Sequence, residues 1–128
     1  MGGDTAPDIK VELADGVKGD VSELTALSVK VAETDRVEVE SLKRRIAGLF
    51  LECQANPHAG ELMGSGRHPE LADCRRIRFD AENHKGKPRF RLIYRNEPTD
   101  GAPAKCTWLA IGPRAGLRAH RMARQRSR

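Results

Sequence analysis

The apolar residues of this chain change their period near residue 60, and that change limits the folds open to it. Val39, Leu42, Ile46, Leu49, Phe50 and Cys53 recur at three- and four-residue steps, the repeat of one helix face. Val21, Leu24, Leu27 and Val31 do the same earlier, so the spacing predicts a first helix over 17–31. A second follows, with Asp35 as its candidate cap and the run Asn56 to Gly60 as its stop. Beyond that run the alternation is two-fold. Ile77 and Phe79 alternate with Arg76 and Arg78; Phe90, Leu92 and Tyr94 alternate with Arg89, Arg91 and Arg95. Each segment reads as a strand with one apolar and one basic face. Cys106 to Ile111 reads as a third, more apolar strand, and Ile9, Val11 and Leu13 as a short first one.

The expected order is therefore β-α-α-β-β-β, ending in a weak helix or basic tail from Arg114 onward. Two amphipathic helices must cover the apolar side of a sheet built from neighbouring hairpins, so the class is α+β: two N-terminal helices packed on a small antiparallel β-sheet. With 128 residues, 9–128 reads as one domain behind a Gly- and Asp-rich leader, 1–8. Segment 81–87 reads as a turn-rich break and 96–104 as a flexible hairpin loop. Gly112 and Pro113 read as a turn that presents Arg114, and Trp108 and Tyr94 as core.

Charge is divided as sharply as period. Residues 1–60 hold 7 Lys/Arg against 11 Asp/Glu, a net of −4; residues 61–128 hold 16 against 7, a net of +9. A polyanion surface belongs to the second half. Only 4% of residues are aromatic, too few for the stacking platforms of single-strand readers. Cys53, Cys74 and Cys106 are odd in number and widely spaced, which argues against a disulfide framework or a metal site and suits a reducing, cytoplasmic compartment. No stretch reaches the length of a membrane span. No cofactor is expected.

The runs RRIRFD, RFRLIYR and WLAIGPR, with a histidine six positions beyond the last arginine, resemble the RelE/ParE toxin superfamily over residues 71–126. The resemblance to its RNA-cutting branch implies a ribosome-dependent endoribonuclease, neutralised by a cognate antitoxin, with ribosome and mRNA as its other partners. It implies a basic strand pair at Arg76 and Arg78, phosphate contacts at Arg91 and Arg114, and a proton-transfer role for His120 in place of a tyrosine. Arg95 and Arg118 join the expected RNA-binding set. The chain departs from that pattern with arginine for lysine on the first basic strand, histidine for tyrosine, and long loops. A guanidinium cannot act as a base, so proton abstraction falls to another group. A ParE-like DNA gyrase-binding toxin and a non-catalytic RNA- or ribosome-binding member of the same fold are the alternatives.

Chemistry reaches the same residues independently. Metal-independent RNA cleavage needs a base for the ribose 2′-OH, an acid for the departing 5′-oxygen and cations around the phosphorane. Arginine supplies the cations, and arginines at alternate strand positions share a face. His120 is the histidine with a chemical post; His58, His68 and His84 read as bystanders, and Asp80 and Glu82 as secondary candidates for a base. The plainer alternative is a solvated basic face with no chemistry.

Overall fold

The computed structural model describes residues 9–22, 36–64, 68–82, 84–114 and 118–127, with the side chains of 36–38 excepted. The expected leader, the far part of the first helix and the Asp35 cap lie outside them. The elements run β1 (Lys10–Leu13), a helix α1 described over 17–22, α2 (Arg36–Ala55), β2 (Glu61–Leu62), a 3-10 turn (Pro69–Leu71), β3 (Cys74–Phe79), β4 (Phe90–Thr99), β5 (Ala102–Pro113) and α3 (Arg118–Arg126). The α+β class is as expected. Strands β2 to β5 are antiparallel neighbours in the sheet order β1-β5-β4-β3-β2, but β1 joins β5 in parallel, with Val11 opposite Cys106. The sheet is therefore mixed at one edge rather than wholly antiparallel.

Alternation assigns the two faces. Ile77, Phe79, Phe90, Leu92, Tyr94, Cys106 and Trp108 point into one cluster with Leu42, Ile46, Leu49 and Cys53 of α2. These α2 positions are one buried stripe, while Leu51 on the far side is 65% exposed. Each large side chain buried there contributes roughly 1.5–3 kcal/mol. Trp108 meets Phe50 edge to face at 5.8 Å between ring centroids, so it is a core anchor. Asn56 and Pro57 end α2: the His58 N–H donates to the Asn56 side chain at 3.1 Å, and proline has no N–H to continue the ladder. The Tyr94 hydroxyl then accepts from the Gly60 N–H at 2.9 Å and donates to the Pro57 carbonyl at 2.7 Å, fastening this turn to the sheet. A side chain at Gly60 would start 2.9 Å from that hydroxyl.

The opposite face carries a smaller cluster: Leu71, Cys74, Ile93, Leu109, Ala110, Ala119 and Ala123. A register shift between Ile93 and Tyr94 lets Leu109 and Ala110, adjacent in sequence, both join it. Helix α3 docks here through its alanines. A nine-residue helix is marginal alone, so this packing rather than propensity forms it. The hairpin expected over 96–104 is present, but its loop is short and the segment is strand almost throughout: Pro98 faces Pro103 and Thr99 faces Ala102, with Asp100 and Gly101 turning the chain. The Arg75 guanidinium grips the Asp100 carboxylate at 2.9 and 2.8 Å, holding that turn against the sheet. All three cysteines are free and buried. No helix among the described residues is long and apolar enough to cross a membrane.

Two expectations at the end of β5 need correction. Gly112 is not a turn residue; it lies inside β5 and is not among the glycines with positive φ. A Cβ there would touch the Ala119 Cβ and the Met122 Cε, both at 3.4 Å, so the glycine lets α3 approach the strand. Arg114 is placed by the ladder itself, its N–H donating to the Arg89 carbonyl at 2.7 Å.

A candidate phosphate site on the helix α3 face

On the α3 face the cross-strand columns are Cys74–Arg95, Arg76–Ile93–Ala110 and Arg78–Arg91–Gly112. The last two hold the expected basic pair and Arg91 side by side. Arg91 is 7% exposed, and its Nη1 donates to the Pro88 and Phe90 carbonyls at 3.0 and 2.9 Å. Those bonds bend the side chain back along its own strand and fix the guanidinium. Burial first, then the charges of Arg78, Arg114 and Arg76, lower its pKa from the usual arginine value. Four guanidinium groups therefore crowd one place. Among the described residues no carboxylate lies within ion-pair distance of Arg78, Arg91 or Arg114. Like charges gathered in excess of their counter-ions cost energy unless an external anion joins them.

Arg76 stands at the rim. Its Nη2 donates to the Glu61 carboxylate at 2.6 Å across the β2–β3 pair. That hydrogen bond, with the charges of Arg76 and Arg78, holds the Glu61 carboxyl below the usual carboxylate range. Glu61 is well exposed, and an exposed pair of this kind is worth little and yields readily to another anion.

His120, in the first turn of α3, is 5% exposed and lies over this row. Burial, the neighbouring His68, Arg76 and Arg91 together pull its pKa down to about 4. The imidazole is thus neutral near pH 7, with a ring nitrogen open to a proton. Its Nδ1 is buried and has no hydrogen-bond partner among the described residues. His68 stacks on it, ring centroids 5.2 Å apart at 30°. His68, expected to be a bystander, sits in a loop 52 positions from His120 with no periodic signal to mark it.

The remaining expected residues are elsewhere. Arg95 shares the face of Arg91, but its Nε lies 3.1 Å from the Asp73 carboxylate and its Nη1 and Nη2 donate to the Ser127 and Glu70 carbonyls at 3.1 and 3.2 Å. It laces the turn before β3 to the end of α3. Arg118 is exposed on α3, two residues before His120. Asp80 accepts from the Ala81 and Arg89 N–H groups and from the Arg89 guanidinium at 2.7–2.9 Å. Burial works against its charge, but these bonds keep its carboxyl below the usual range. Glu82 pairs with Arg44 at 3.7 Å. Both carboxylates are structural acceptors. No group of three or more His, Cys, Asp or Glu among the described residues is arranged to hold a metal ion.

No family model matches the sequence, and no curated protein matches it. The structure is similar to that of the E. coli toxin RelE, solved in the free state as a double arginine-to-alanine mutant. The TM-score is 0.54 at 16% sequence identity, over 93% of this chain and 97% of that one. At this identity the likeness speaks to architecture, and it spans nearly the whole of both molecules: this chain has the RelE fold.

Proposed function

We propose that the protein is the toxin of a toxin–antitoxin pair and that it cleaves mRNA on the ribosome by metal-independent attack of the ribose 2′-OH. The observation that carries this reading is the cluster of Arg76, Arg78, Arg91 and Arg114 beneath a neutral histidine, with Arg91 lacking a carboxylate partner among the described residues. Guanidinium forks match phosphate oxygens bidentately and neutralise the charge that grows on a pentavalent phosphorus. Each well-placed donor is worth about 3 kcal/mol in the transition state. His120 in its neutral form takes the 2′-OH proton, and the negative charge that arrives with RNA raises its affinity for that proton. A protein with such chemistry harms its own cell, so a partner that covers the arginines, through an acidic or amphipathic segment, follows from the same surface.

Induction of the gene, followed by mapping of mRNA 5′ ends, tests this. New ends and early loss of protein synthesis are expected, and both should vanish in His120→Ala. Intact mRNA with an early DNA-damage response would replace this reading with gyrase binding. The burial of His120, at 5% exposure, favours a second reading: an RNA-binding protein that does not cut. Purified protein that binds ribosomes and leaves their mRNA whole would establish it.

A further inference from the structure

We propose that His68 is the second proton-transfer group of this site, protonating the departing 5′-oxygen while His120 accepts the 2′-OH proton; the assignment rests on the nuclease reading above. Three observations carry it. The two rings stack at 5.2 Å, beside Arg76 and Arg91. Both ring nitrogens of His68, together with Nδ1 of His120, are buried without a hydrogen-bond partner among the described residues. Buried polar atoms left unpaired cost free energy, and three on two touching rings mark a place where a hydrogen-bonding ligand belongs.

The third observation is that the protein fixes His68 in place without using its ring. The residue precedes the Pro69–Leu71 turn and does not cap it with its side chain. Its carbonyl accepts from the Leu71 N–H at 2.9 Å, Leu71 is fully buried against α3, Glu70 pairs with Arg124 of α3 at 3.4 Å, and Arg95 donates to the Glu70 carbonyl. The turn is therefore anchored to the helix that carries His120.

The two stacked rings divide the labour, one accepting a proton and the other giving one. The 2′-OH gives its proton to the unprotonated His120 ring as the 2′-oxygen bonds to phosphorus. The bond from phosphorus to the 5′-oxygen breaks, and that oxygen takes the proton of the His68 imidazolium. The products are a 2′,3′-cyclic phosphate and a 5′-hydroxyl; His120 then releases a proton to water and His68 regains one.

An RNA with sulfur in place of the bridging 5′-oxygen separates the roles, because a thiolate leaves without a proton. Ribosome-dependent cleavage of that RNA and of ordinary RNA is measured for wild type, His68→Gln and His120→Gln. His68→Gln should lose on the order of 10²-fold on ordinary RNA and recover near wild-type rate on the sulfur-bridged RNA. His120→Gln should be slow on both. Wild-type rates for His68→Gln on ordinary RNA, or an equal loss on the two RNAs, overturn the assignment while leaving the nuclease reading standing. Wild-type protein inert on both RNAs overturns the nuclease reading and this assignment with it. If His68→Gln does not fold, His68→Asn takes its place, and failure of both to fold marks the ring as structural and overturns the assignment.

Discussion

Arg91 and Arg95 lie four residues apart on one strand, point to the same face, and have opposite lives. Arg95 finds a carboxylate in Asp73 and two carbonyls in Glu70 and Ser127; burial opposes its charge, but its surroundings keep its pKa above the usual arginine value. Arg91 finds carbonyls and other cations, and its pKa is lowered. One end of the α3 face is electrically complete within the protein. The other gathers more cations than carboxylates among the described residues. Residue type does not separate the two; the company each guanidinium keeps does.

The largest effect expected is at the incomplete end. Arg91→Ala should lower RNA cleavage about 10²–10³-fold, as loss of one transition-state donor does, while the melting temperature barely moves because like-charge repulsion is relieved. A large loss of stability instead would show that Arg91 is a structural residue like Arg95. Next in size is the clamp formed by Asp20, which accepts from Arg126 at 2.6 and 3.0 Å and from the Ile111 N–H at 3.1 Å. Asp20→Ala should cost about 3 kcal/mol in chemical denaturation, since it strands a part-buried guanidinium. Arg95→Ala should cost less, about 1–2 kcal/mol, with cleavage per folded molecule retained. Loss of cleavage without loss of stability would dissolve the contrast with Arg91.

The smallest effect sharpens the comparison through pH. The folded-state pKa of His120, about 4, lies below its unfolded value near 6.5, so the unfolded chain takes up the proton first. Stability is fully present above pH ~6.5 and falls as pH drops toward 4, by a fraction of the about 1.4 kcal/mol per pH unit that one proton carries. Saturating phosphate, by supplying the missing anion, should flatten that slope, as should His120→Gln. A slope that ignores both would place the titration elsewhere.

Much of this was legible from the residues. Alternation in the stretches 76–79 and 90–95 identified two strands and their faces, because a strand buried on one side must repeat every second residue. It could not separate Arg91 from Arg95, since Asp73 and Ser127 reach Arg95 only through the fold. Pro98, Gly101 and Pro103 made 96–104 look like a loop; cross-strand pairing carries the ladder through them to a tight turn. The parallel partner of β1 leaves no local mark, and α3 looked weak because its stability comes from Ile93, Leu109 and Ala110. His68 was missed for the same reason. Nothing near it in sequence announces a ring 52 positions away.

The contact between Asp20 and Arg126 spans 106 positions, and it closes the open edge of β5 where β1 stops: Asp20 takes the Ile111 N–H and Arg126 donates to the Leu109 carbonyl at 2.9 Å. A growing chain that has emerged as far as residue 113 already displays Arg76, Arg78 and Arg91, yet lacks the imidazole above them. The helix bearing that imidazole packs on Ile93, Leu109 and Ala110, and its far end is clasped when early and late segments meet, a slow, non-local closure. The clasp that completes this seating therefore forms only once the polypeptide has reached Arg126.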